Sequence, residues 1–102
     1  MKRVFLSLGM RGRSDDSIIE DIYNAKEFIS SKYYPSEQVE FIHNFDYSSN
    51  NMVECLGEAI KKMSSCDHAY FINKWYKHDE CIIEKHVCEL YDIPHTVIKI
   101  GN

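Results

Sequence analysis

Short apolar stretches alternate along this chain with segments whose apolar residues recur at helical spacing. Arg3 to Leu8 (RVFLSL) is nearly continuous apolar sequence and predicts a buried strand. Ile18, Ile22, Ala25 and Ile29 then fall at i, i+4, i+7 and i+11, one face of a helix. Ser14 is placed to cap that helix, Asp15 and Asp16 suit the positive end of its dipole, and the helix is expected to stop before Pro35. Gln38 to Ile42 (QVEFI) alternates polar and apolar and predicts a second strand, followed by a loop rich in turn formers from His43 to Asn51. Asn51 with Glu54 resembles a capping box, and Met52, Leu56, Ala59 and Met63 mark a second amphipathic helix. Asp67 to Asn73 reads as strand three and Lys74 to Asp79 as a loop. Ile83, Val87 and Leu90 mark the face of a third helix, and Pro94 separates it from a last strand, Thr96 to Ile100.

Strand and helix thus alternate from end to end. The pattern predicts an α/β domain over residues 1–102: a three-layer, Rossmann-like (flavodoxin-like) parallel sheet of four to five strands with helices on both faces. Right-handed crossovers favour the strand order 2-1-3-4. No internal repeat, low-complexity tract or linker interrupts it.

Composition narrows the function. The chain has 102 residues, with 12 Lys and Arg against 16 Asp and Glu, a net charge of −4. That balance argues against general binding to nucleic acid or to an anionic membrane. No apolar run approaches the length of a transmembrane helix. The start, MKRVFLSLGM, is basic then apolar, but it meets Arg11 without a small-residue cleavage site, so no signal peptide is expected. Cys55, Cys66, Cys81 and Cys88 are expected to be reduced thiols in a cytoplasmic protein.

In an open parallel sheet, ligands bind beyond the carboxyl ends of the strands. Here that edge carries the loops at Gly9 to Ser14, His43 to Asn51 and Asn73 to Asp79. Arg11 and Arg13, two of the chain's three arginines, stand with Gly9 and Gly12 just before a helix. Free amides at a helix start and a two-pronged guanidinium suit a phosphate. The same residues would also make an ordinary turn with solvated charges. Glu84 is the second candidate. It shares a helical face with Cys81, Cys88 and Tyr91, beside the Ile83–Val87–Leu90 face, where partial desolvation would tune a carboxylate as nucleophile or base. The alternative is an exposed helix glutamate. Trp75, Tyr76 and Tyr47 are loop aromatics able to stack a nucleobase or simply to anchor their loops. His78, Cys81, His86 and Cys88 have a superficial metal-ligand spacing. His86 and Cys88 would point about 200° apart on one helix, so no metal site, and no other cofactor, is expected.

Ser7-Leu8-Gly9-Met10-Arg11-Gly12-Arg13, Cys66-Asp67, and Trp75 with Cys81 and Glu84 together resemble the 2'-deoxynucleoside 5'-phosphate N-hydrolases of the nucleoside 2-deoxyribosyltransferase superfamily. They are most similar to a small branch found in phages and Gram-positive bacteria. The resemblance spans almost the whole chain. It implies that Glu84 is a nucleophile toward C1' of the sugar. It implies that Ser7, Gly9, Arg11 and Gly12 hold the sugar or its 5'-phosphate, and Met10 and Arg13 of the same loop are expected to join them. Asp67 matches an aspartate that begins strand three, and Asp67 or Asp79 would protonate the leaving base. The chain departs from that pattern at Asp79-Glu80, two acids that oppose an anion.

The expected partner is a nucleoside, a nucleoside monophosphate or a nucleotide-derived small molecule. Cleavage or transfer of an N-glycosidic bond is one expected activity. Non-catalytic binding or sequestration of such a molecule, in a phage-related setting, is the alternative, and an oligomeric scaffold with a vestigial site is a third. Tyr33, Tyr34, Tyr47 and Trp75 are many large aromatics for a small surface, which predicts a homodimer or higher homo-oligomer.

Overall fold

A computed structural model of the protein describes residues 1–10, 12–44 and 51–100. In chain order the elements are β1 (Lys2–Ser7), α1 (Asp15–Tyr33), β2 (Val39–His43), α2 (Met52–Ser64), β3 (His68–Ile72), α3 (Asp79–Leu90) and β4 (His95–Ile98), with one 3-10 turn at Trp75–Lys77 ahead of α3. The four strands form one sheet in the order β2-β1-β3-β4. Every pairing is parallel: Lys2 lies opposite Val39, Val4 opposite His68 and Ala69 opposite His95. The flavodoxin-like order expected from right-handed crossovers is the order found.

Two apolar layers sandwich the sheet, and the period of two along the strands sorts residues between them. Val4, Leu6, Tyr70, Ile72 and Ile98 face α1, where they meet Ile18, Ile22, Ala25 and Ile29. Phe5, Ala69 and Phe71 face the other way and pack with Ala59 and Met63 of α2 and Cys88 of α3. By the same alternation Ser7, two residues after Phe5, falls on the α2–α3 face. β1 and β3 are the central strands, which is why both faces of each are apolar.

The helix starts follow local chemistry. Ser14 Oγ accepts from the Ser17 N–H at 3.2 Å, and Asn51 Oδ1 accepts from the Val53 and Glu54 N–H groups at 3.0 and 3.1 Å. The last strand is shorter than the Thr96–Ile100 expectation. Beyond Ile98 the side chain of Asn73 takes over the role of a neighbouring strand: its Nδ2 donates to Ile100 O at 2.6 Å and its Oδ1 accepts from Ile100 N at 2.7 Å.

The rotation of α3 is the main correction to the sequence reading. Ile83 and Leu90 do not face the core: they are 43% and 63% exposed, and Val87 is half-buried. The helix instead buries Glu80, Cys81, Glu84 and Cys88. Small thiol side chains let the helix pack closely, Cys88 Sγ lying 3.6 Å from Met63 Sδ of α2, and Glu84 is tied to Ser7 and Asn44. Tyr91, expected on the Glu84 face, is exposed at the helix end. Among the described residues no helix is long and apolar enough to cross a membrane.

Candidate active site

β1 and β2 lie side by side and end at the same edge of the sheet, delivering Ser7 and Asn44 there. α3 packs across the carboxyl end of β1 and carries Glu84 down onto both. Glu84 is 0% exposed. Ser7 Oγ donates to Glu84 Oε1 at 2.6 Å, and Asn44 Nδ2 donates to the same oxygen at 3.2 Å. Oε2 has only the longer Asn44 contact at 3.5 Å among the described residues. One carboxylate oxygen is therefore anchored and the other is weakly engaged.

Asn44 is itself immobilised. Its Oδ1 accepts from Leu8 N and its Nδ2 also donates to Leu8 O, both at 3.0 Å. A side-chain amide that mimics a strand partner on one side has its remaining donor aimed at Glu84. This arrangement fixes the Glu84 rotamer with one group from β1 and one from the residue that follows β2.

Burial pushes the Glu84 carboxyl up to about 7 from its usual 4.5. The Ser7 and Asn44 hydrogen bonds pull the other way, and the nearby Glu80 charge adds to the rise. The result is a carboxyl group that exchanges its proton near neutrality, which suits a nucleophile or a general base. The thiols beside it are not competitors. Burial pushes Cys81 up to about 12 and Cys88 up to about 11, so both stay protonated and poorly nucleophilic.

Glu84 opens onto a crevice lined by Met10, Asn44, Met52, Cys55, Leu56, Ala59 and Glu80. Its volume is about 10 Å³, room for about one water. Glu80 guards one side. It is 7% exposed, and its Oε1 accepts from the Met10 N–H at 3.1 Å.

The glycine loop has a packing role that its spacing does not reveal. A Cβ on Gly9 would lie 2.0–2.2 Å from ring atoms of His78, the residue that precedes α3. Gly9 therefore admits the imidazole and lets the α3 start close over β1. Gly12 has φ +75° in open space, the left-handed turn for which glycine is suited. Arg13 is engaged within its own helix start. Its guanidinium donates to Gly9 O, Ser17 O and Ser17 Oγ and pairs with Asp21.

Of the residues expected from sequence, Ser7, Gly9, Met10 and Glu84 converge at this edge, and Asp79 is exposed at the first turn of α3 above it. Arg11 and Tyr47 lie outside the described residues. Asp67 does not join them. It precedes β3 at the opposite edge, where its Oδ2 accepts from Arg3 N at 2.8 Å and its N–H donates to Arg3 O at 2.7 Å. Four residue-to-residue steps of strand lead from Arg3 to Ser7, about 13 Å. Trp75 also stands apart. Its ring meets Phe71 and Tyr76 edge to face, lies 5.0 Å from Lys85 Nζ, and lines a different cavity of about 290 Å³ with Asn73, Tyr76 and Val97.

Sequence reasoning missed Asn44, and it missed the contacts that Glu80 and His78 make. Asn44 carried one usable signal, a polar residue immediately after the strand that pairs with β1. From the sequence Glu80 reads as an acid that opposes an anion and His78 as part of a superficial metal-ligand spacing, and neither reading discloses a tertiary partner. Among the described residues no cluster of three His, Cys, Asp or Glu side chains could hold a metal ion. The molecule is thus a Rossmann-like α/β protein with a buried carboxylate at the carboxyl edge of its sheet. No protein-family model, curated protein or solved structure matches the chain.

Proposed function

We propose that the protein binds a nucleoside or a nucleoside-derived small molecule at this edge and cleaves or transfers its N-glycosidic bond, as the resemblance to nucleoside 2-deoxyribosyltransferases implies. The observation that carries the reading is the fully buried Glu84 carboxyl, poised near neutrality and oriented by Ser7 and Asn44. Glu84 Oε2 attacks C1', forming a C1'–O ester bond. The C1'–N bond breaks with its electron pair moving to the base, and the leaving nitrogen takes a proton from water. Water or a second base then attacks C1', releasing the carboxylate with net retention, as in retaining glycosidases. Asp67 has no part in this scheme because it sits at the other edge of the sheet.

Separation of free base from a panel of deoxynucleosides, ribonucleosides and their monophosphates by liquid chromatography tests the reading. The parent protein is expected to release base. Glu84→Gln is expected to lower the rate by several orders of magnitude with the fold retained. The nucleophile must be ionised, so the rate should climb with pH through about 7 and level off above it. No release from any substrate, or an unchanged rate in Glu84→Gln, overturns the catalytic reading.

The tightness of the crevice and the second carboxylate at its rim favour one other reading, a non-catalytic binder for a nucleotide-derived molecule. Ligand-induced thermal stabilisation without base release would select it. In either case we assign the protein a homodimer, formed by the apolar surface that α2 and α3 leave uncovered.

A further inference from the structure

We infer that Glu80 sets the charge specificity of this site, so that it accepts a ligand with an uncharged 5' end, a nucleoside, and turns away the corresponding 5'-monophosphate. The inference rests on the proposal that the Glu84 crevice receives a nucleoside, and it adds the substrate class.

Phosphate binding at a sheet edge relies on backbone N–H groups and guanidinium donors that point outward. Here several of those donors are taken. The Met10 N–H is held by Glu80 Oε1 at 3.1 Å and the Leu8 N–H by Asn44 Oδ1 at 3.0 Å. The Arg13 N–H donates to Met10 O at 3.2 Å. The Arg13 guanidinium is occupied by Gly9 O, Ser17 and Asp21. Glu80 is therefore an internal carboxylate seated where an incoming anion would seek an amide. Glu84 adds a second carboxyl to the same crevice. An arriving phosphate would have to displace Glu80 from Met10 and leave that charge buried and unpaired, or approach it as a like charge. A sugar hydroxyl meets neither cost, and it can donate to either carboxylate.

The test uses three proteins, the parent, Glu80→Gln and Glu80→Ala. Glu80→Gln keeps an acceptor for Met10 N–H and so keeps the loop in place, while Glu80→Ala frees the amide. Calorimetry with each 2'-deoxynucleoside and its 5'-monophosphate measures the affinity ratio, and phosphorus NMR line broadening reports binding of inorganic phosphate alone. The parent should prefer the nucleoside by at least about tenfold, and both variants should narrow that ratio about tenfold, with the gain confined to the monophosphate. Inorganic phosphate should broaden with the variants and not with the parent. Equal affinity of the parent for both ligands, or a ratio unchanged in both variants, overturns the inference. Phosphate gained by the variants with no nucleoside bound by any of the three proteins upholds the anion exclusion and overturns the nucleoside reading. Binding of no probe by any of the three overturns both.

Discussion

Glu84 is a carboxyl group buried away from bulk solvent, and its cost to the fold depends on pH. In the unfolded chain it ionises near 4.5, and in the folded protein near 7. The folded state therefore holds the proton more tightly. The associated stability is complete below about 4.5, declines as pH rises between these two values, and is gone above about 7. Glu84→Gln removes the titration while keeping the shape. Its melting temperature should match the parent's at pH 4.5 and exceed it at pH 8, by the equivalent of about 2–3 kcal/mol. Parallel thermal melts across that range check the sign: a parent that gains stability from pH 5 to 8 relative to the variant would contradict the buried, desolvated carboxyl. Retaining a group that weakens the fold at neutral pH is the usual mark of a functional residue.

At the scale of elements, the site depends on how closely the start of α3 closes over the end of β1. Gly9 and His78 set that approach. Gly9→Ala inserts a methyl group into the imidazole, so the ring or the helix start must move. A loss of about 1–3 kcal/mol is expected, the scale of overpacking a tight contact. Since α3 carries both Glu80 and Glu84, the same change should also lower ligand affinity. The double variant Gly9→Ala with His78→Ala should recover much of the stability, because the clash needs both side chains. Chemical denaturation of the four proteins in the cycle measures that coupling. Additive losses would mean that Gly9 serves the turn alone.

On the whole molecule, one side of the sheet is closed by α1 and the other by α2 and α3, yet the outer surface of that second pair exposes several large apolar side chains among its charged ones. Met52 and Val53, the latter 78% exposed, lie with Ile83 along one shallow groove, and Val87 and Leu90 continue the line down α3. The aromatics expected to form an interface are placed differently. Tyr34 bonds to the Tyr70 hydroxyl and Trp75 packs on Phe71, while Tyr33, exposed at the end of α1, meets Phe28 edge to face and Tyr70 at a tilt. A second copy seated on the α2–α3 surface would cover this apolar line and the mouth of the Glu84 crevice together. Light scattering at tens of micromolar should give twice the mass of the chain, and Ile83→Asp with Leu90→Asp should give the single chain with its helical spectrum unchanged. A monomeric parent would remove the dimer proposal and leave the site argument intact.

The order of elements, the parallel sheet and its 2-1-3-4 order were legible in the sequence, since helical and strand periodicities and turn residues are local properties of the chain. Ser14 and Asn51 announced the helix starts they cap for the same reason. The edge at which Ser7, Asn44 and Glu84 meet was legible too, because a parallel sheet gathers the ends of all its strands at one edge. What the sequence could not decide was the rotation of α3. Its residues offer two stripes, Ile83–Val87–Leu90 and Cys81–Glu84–Cys88, and hydrophobicity alone selects the first. Hydrogen bonds from Ser7 and Asn44, residues 77 and 40 positions away in the chain, select the second. Likewise Asp67 and Glu84 looked like partners until the strand direction put them at opposite edges, and Glu80 became part of the site only through Met10, 70 residues earlier. Such contacts leave no periodic trace along the chain, because they arise only where the folded backbone brings distant side chains to one place.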